Sequence, residues 1–217
     1  MITIAIAKGR MQESALSLLA RAGIRLSEDA LNSRRLALED ESGEYRFIFV
    51  KPTDVPVYVE HGIADCGIVG RDVLLESAAD LLLPLDLGIA RCTIVVAAAD
   101  PDAMNKVQGM VRVATKYSQI AGAYFGSLGI PVEIIQLSGS VELAPALGLA
   151  DMIVDLVETG VTLRENGLSV VEEIAQSTGR LVVNRASYQL KAEEITRLVN
   201  ALEMSLNGKY KFATDNS

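Results

Sequence analysis

The chain has 217 residues, half of them hydrophobic and 22% charged, with a mean hydropathy of +0.29. Disorder is excluded, because it needs low hydropathy, and the length suffices to bury a core without disulfides or metals. Twenty Lys and Arg against 28 Asp and Glu give a net charge of −8, which excludes a general nucleic-acid binder but not a phosphorylated small molecule met by a few converging cations.

Ile2, Ile4 and Ile6 alternate with small residues and predict a first strand, which breaks at Lys8-Gly9-Arg10. A helix follows, with Leu16, Leu19 and Ala20 on one face and Gly23 as its C-cap. Beyond the polar stretch with Arg34-Arg35, a hairpin is expected around Glu41 to Glu44, then a buried strand from Phe47 to Val50. Thr53 can N-cap a short helix carrying Val55, Val59 and Ile63. Cys66 to Val69 reads as a strand that ends in Gly70-Arg71-Asp72. Further strands are expected at Leu81 to Leu85 and Thr93 to Ala99, with a break at Pro101. Val111 to Thr115, a helix from Ser118 to Leu128, and Val132 to Leu137 continue the alternation. Ser138-Gly139-Ser140 opens a helix running to Leu147, a turn that either N-caps it or holds an anion. Met152 to Val157 is a strand, Leu181 to Asn184 another, and Glu193 to Leu206 a terminal helix before a frayed tail from Lys209.

Strands alternating with helices predict an α/β fold with mostly parallel sheets. Aromatics at 5% and no Trp leave an aliphatic core, as buried parallel strands use. If the strands near 93–99 and 181–184 both cross, residues 1–90 and 180–217 form one lobe and 91–179 the other. A cleft between the lobes is then the favoured ligand site. Two cysteines, Cys66 and Cys92, and one histidine, His61, form no zinc pattern or disulfide scaffold, and a reducing cytoplasm is expected. The N-terminus lacks the basic region of a signal peptide, and no apolar run approaches the roughly 18 residues of a membrane span.

The strand ending in Asp155, Leu156, Val157 and Glu158 carries two carboxylates to a Thr159-Gly160-Val161-Thr162 turn, followed by Leu163. Hydroxyls and backbone N–H groups there suit a phosphate, and the carboxylates suit ribose hydroxyls or waters on Mg²⁺. An ordinary strand-to-helix connection capped by Thr has the same residues. Lys8 and Arg10 sit at a strand end and Arg34 in a polar loop; each can equally be a solvated charge. Asp72 either caps a helix or meets a ligand.

Wider context reaches beyond single turns. Glu142, Gly148, Ala150, Ile153, Asp155, Thr159, Gly160, Thr162 and Leu163 stand in a spacing that resembles the signature of the ATP phosphoribosyltransferase family. Ala7 to Arg10, Asp54 to Gly62, Asp65 to Asp72, Ala114 to Tyr117 and Gly139 to Glu142 resemble the same family, co-linearly from residue 1 to about 207. The resemblance implies a two-lobed fold like type II periplasmic binding proteins. It implies transfer of the phosphoribosyl group of phosphoribosyl pyrophosphate to a ring nitrogen of ATP, with Mg²⁺, as the first step of histidine biosynthesis. Arg10, Arg34 and Lys8 then face the departing pyrophosphate, Asp155 and Glu158 to Leu163 hold phosphoribosyl pyrophosphate, and Lys8, Gly9, Arg10 and Asp72 hold ATP. Mg²⁺ would be carried mainly by substrate phosphates, with Asp155 or Glu158 as protein ligands. Ending at Ser217, the chain is similar to the short form, a homodimer that joins a regulatory subunit resembling histidyl-tRNA synthetase in a hetero-oligomer. The apolar face Ile195, Leu198, Val199, Leu202 and Leu206 is expected to serve either that contact or its own lobe. The alternatives are a non-catalytic two-lobed binding domain, or a phosphoribosyltransferase for another base.

Overall fold

The computed structural model describes residues 1–27 and 35–213, with side chains through residue 207. It divides into two units, Met1–Ala90 with Thr178–Ser217, and Arg91–Ser177, each with its own sheet.

In the first unit, strand β1 (Ile2–Ala7) lies between two parallel neighbours, β3 (Tyr45–Val50) and β4 (Cys66–Gly70). Ile2, Ile4, Ala5, Ile6 and Ala7 are all buried, the mark of a strand covered on both faces. Small residues are needed on one of those faces. Ala5 pairs with Gly67, and a Cβ on Gly67 would come within 2.7 Å of Val55 and 2.9 Å of Val59. The helix carrying both valines, α2 (Asp54–Glu60), therefore rests directly on this pair. Helix α1 (Arg10–Arg21) buries Met11, Ala15, Leu18 and Leu19, and Gly23 follows its end at φ +85°, where an L side chain is disfavoured. The sheet is completed by β2 (Ala37–Glu39) beside β3, and by β11 (Gly179–Val183) and β5 (Leu82–Asp86) beyond β4.

The second unit orders its strands β10 (Ser169–Ser177), β6 (Cys92–Ala98), β9 (Met152–Val157), β7 (Val111–Thr115) and β8 (Val132–Gln136). Period-two alternation splits β6 between two apolar layers. Ile94, Val96 and Ala98 pack with Phe125 of helix α4 (Ser118–Ser127), while Val95 and Ala97 pack with Ile153 and Leu163.

The α/β class with two sheets agrees with expectation, but the pairing is mixed. β1 with β3 and β4, and β7 with β8 and β9, are parallel; the pairs of β2–β3, β4–β11, β11–β5, β6–β9 and β6–β10 are antiparallel. Strand β10 was not foreseen: its Ser-Val-Val-Glu-Glu-Ile-Ala-Gln-Ser run breaks alternation at two register shifts, and bulges of this kind are common on edge strands. The expected helix to Leu147 shortens to α5 (Leu143–Ala146), and Ser140 has φ +50° outside it, so the Ser138–Ser140 turn does not cap that helix. Ile63 lies past the end of α2 and is exposed, and the Thr53 side chain makes no capping bond.

The terminal helix α8 (Ala192–Ala213), which follows the short helix α7 (Arg185–Leu190), turns Ile195, Leu198 and Leu202 into the core of the first unit, with Val199 and Leu206 packed against it. Its apolar face thus covers its own unit.

Where β1, β4 and α8 begin, Asp65 ties distant segments together. Its carboxylate accepts from Thr3 N–H (2.8 Å), Ser187 O–H (2.8 Å) and the Lys191 ammonium (2.8 Å). Burial alone would raise its pKa, but Lys191, the Thr3 N–H and Ser187 outweigh it and hold the carboxyl below the ordinary aspartate value. A depressed carboxylate stabilises the fold above its unfolded pKa and loses that contribution as acid is added through the folded value. Asp65→Ala is expected to lower stability by about 1–3 kcal/mol at neutral pH, the range for donors left unsatisfied. In urea titrations the difference from the parent should shrink below about pH 4; a constant difference would show that the carboxylate charge is irrelevant.

Candidate active site

At the carboxyl end of β1 the ladder continues one residue, Lys8 N–H donating to the Val50 carbonyl at 2.8 Å. Gly9 then takes φ +86°, ψ −143° and caps α1, whose first residue is Arg10. That backbone conformation is open to glycine alone. Lys8, Gly9 and Arg10 are all exposed. β4 ends one strand away at Gly70, which caps helix α3 (Arg71–Ser77). Asp72 in its first turn is buried, and its carboxylate lies so close over Gly70 that a Cβ there would collide with it. An anion at this helix start is favourable. Because Ile6 pairs in parallel with Ile68, Lys8–Arg10 and Gly70–Asp72 leave the same edge of the sheet. Parallel strands present ligands at their carboxyl ends. Arg34 lies outside the described residues.

In the second unit, β7, β8 and β9 are parallel neighbours, so the loops after Thr115, Gln136 and Val157 also share one edge. Asp155 near the end of β9 keeps only 14% of its side chain exposed. Burial pushes its carboxyl above the ordinary aspartate range, opposed by the Lys116 ammonium and the Leu156 N–H and reinforced by the nearby charge of Glu142. Glu158 and Thr159 are exposed. Gly160 adopts φ +71°, ψ 9° and caps helix α6 (Val161–Glu165); a Cβ on it would stand 3.0 Å from Arg164 Nη1. Val161 and Thr162 are exposed in the first turn, where helix N–H groups have no acceptor within the helix. Leu163 is buried among Ala114, Ala144 and Ile153. Its side chain anchors the loop, and only its backbone is available to a ligand.

This arrangement offers a buried carboxylate, hydroxyls and backbone donors on one short loop, a fit for a phosphorylated sugar. Among the described residues no three His, Cys, Asp or Glu side chains converge as a metal cage. Asp155 and Glu158 fit a Mg²⁺ that substrate phosphates carry, since that ion usually takes one or two carboxylates and keeps its other ligands. His61 is exposed at the end of α2, and Cys66 and Cys92 are buried. Burial pushes the Cys66 thiol far up, so it is no nucleophile. Lys116, which carries no expected role although it lies in the family-like segment Ala114–Tyr117 directly after a strand, stands 3.4 Å from Asp155.

Comparison with known proteins gives this geometry its context. The family model described as ATP phosphoribosyltransferase (HisG) matches residues 51–204. An ATP phosphoribosyltransferase of Geobacillus kaustophilus is 52% identical over 202 residues, covering 93% of this chain and 97% of the relative. The solved ATP phosphoribosyl transferase (HisG:HisZ) complex from Thermotoga maritima contains a chain 36% identical, with a TM-score of 0.83 over 96% of this chain and 100% of that one. The periplasmic aliphatic sulphonate binding protein of Escherichia coli, at 15% identity, shares the fold alone, with a TM-score of 0.58 over 94% of this chain and 72% of that one. No described helix is long and apolar enough to cross a membrane. The chain belongs to the ATP phosphoribosyltransferase family.

Proposed function

We propose that this chain joins ATP to phosphoribosyl pyrophosphate, giving phosphoribosyl-ATP and pyrophosphate, the first step of histidine biosynthesis, in the cytoplasm. A lone pair on an adenine ring nitrogen forms the bond to the anomeric carbon. The bond from that carbon to the pyrophosphate oxygen breaks, and its electron pair leaves with pyrophosphate. The attacking nitrogen carries no proton, so the chain needs no general base. Positioning and charge stabilisation carry the catalysis instead. Lys8, Arg10 and Arg34 meet the charge building on pyrophosphate. Lys8 to Arg10, with Asp72, take ATP. Asp155 and the residues from Glu158 to Leu163 hold the phosphoribosyl group, Gly160 letting the backbone approach its phosphate. Mg²⁺, held by the substrate phosphates together with Asp155 or Glu158, would supply neutralising charge.

The observation that carries this reading is family membership across the chain, which the loop at Asp155–Leu163 matches in its chemistry. Offering phosphoribosyl pyrophosphate together with ATP, free purines or pyrimidines separates it from its rivals. Product from ATP alone supports it; product from another base, or binding without turnover, contradicts it. The Thermotoga maritima neighbour is a HisG:HisZ complex whose matched chain is covered completely. By analogy this chain is read as a homodimeric catalytic subunit joining a regulatory subunit similar to histidyl-tRNA synthetase. Histidine would then act through that partner and not on this chain alone, which requires coupling between the two chains.

A further inference from the structure

Thr115 of β7 pairs with Val154 of β9 in parallel register, so the next residues stand side by side: Lys116 leaves the sheet just past the end of β7, and Asp155 lies within β9, paired with Val95 of β6. The Thr115 hydroxyl fixes that exit. It donates to the Val154 carbonyl at 2.6 Å and accepts from Tyr117 N–H at 2.8 Å. The Lys116 ammonium stands 3.4 Å from Asp155 Oδ1 and 5.0 Å from the centre of the Tyr117 ring, within reach of a cation–π attraction. Asp155 Oδ1 is buried and has Lys116 as its ion-pair partner, while the Leu156 N–H also supports the carboxylate. Glu142 adds negative charge nearby.

A carboxylate that must receive sugar hydroxyls beside incoming phosphates has two needs: a fixed direction, and a cation that offsets its repulsion of the anion. We propose that Lys116 is a positioning residue that acts through Asp155, aiming its carboxylate and balancing its charge so that the phosphoribosyl group can bind. This rests on the reading of Asp155–Leu163 as the phosphoribosyl pyrophosphate loop. The side chain of Lys116 is 43% exposed, and an ion pair this exposed on its cationic side adds little to stability. Its loss should therefore appear in substrate use more than in folding.

Four proteins decide it, each assayed with the regulatory subunit present: Lys116→Met, Lys116→Arg, Asp155→Asn, and the double variant Lys116→Met with Asp155→Asn. Lys116→Met is expected to raise KM for phosphoribosyl pyrophosphate about tenfold or more, leaving kcat and KM for ATP within about threefold, the pattern of lost ground-state binding. Lys116→Arg should restore most of that loss. The double variant should bind phosphoribosyl pyrophosphate no worse than Asp155→Asn alone, because a residue acting through Asp155 has nothing left to act on. An unchanged KM in Lys116→Met, full additivity in the double variant, or a parallel loss of melting temperature and both KM values would overturn the proposal. If Asp155→Asn itself leaves that KM unchanged, the reading of the loop falls, and the proposal with it; if only Lys116→Met is silent, the reading stands and the role of Lys116 does not.

Discussion

Arg10→Ala is expected to slow the chemical step by about 2.7–4 kcal/mol, a hundredfold to a thousandfold, the cost of removing one electrostatic donor from a developing negative charge. Pyrophosphate gains charge only as its bond to the anomeric carbon breaks. A cation waiting for it lowers the barrier and adds little to the affinity for intact substrate. Gly9, whose conformation turns the chain from β1 directly into α1, sets where Arg10 begins its helix. Arg34→Ala should act in the same direction. Single-turnover measurements separate the step from product release; rates equal to the parent for both variants would show two surface charges without a catalytic task.

Gly160→Val is expected to weaken binding of phosphoribosyl pyrophosphate by tenfold or more while leaving the fold in place. At φ +71° a side chain costs about 1–2 kcal/mol of backbone strain, and its Cβ would press on Arg164 Nη1. The loop must move to relieve both, and its backbone N–H groups move with it. Folding should survive, because Leu163 keeps its place among Ala114, Ala144 and Ile153. Thr159→Val keeps the volume and removes a hydroxyl; a loss of about 0.5–1.5 kcal/mol in binding is expected for one hydrogen bond. Titration calorimetry measures both. Parent-like affinity in both variants would remove this loop from the phosphoribosyl site.

Local signals carried most of what positions the site. The apolar runs of β1, β4 and β9 end where charged or glycine-rich turns begin, and those turns hold Lys8–Arg10, Gly70–Asp72 and Asp155–Leu163. Hydrophobic pattern and turn chemistry are both short-range, so they can be read residue by residue. Long-range pairings could not. Lys116 meets Asp155 only because β7 and β9 are parallel neighbours in a given register, and Asp65 finds Ser187 and Lys191 across 122 and 126 residues of chain. Neither contact has a periodic trace. β10 escaped because a bulged strand has neither period, and the helix at Leu143–Ala146 fell short of its expected length. The apolar face of α8 was readable as a face, but not what it covers, since helix amphipathicity is the same against a core or a partner.

The reaction is tested most directly by mixing this chain, together with the proposed regulatory subunit, with ATP, phosphoribosyl pyrophosphate and Mg²⁺, and following phosphoribosyl-ATP by absorbance and pyrophosphate by a coupled assay. The two products should appear in equal amounts, and neither should form when either substrate is left out. Pyrophosphate released without phosphoribosyl-ATP, or no product at all from the folded complex, would contradict the assignment.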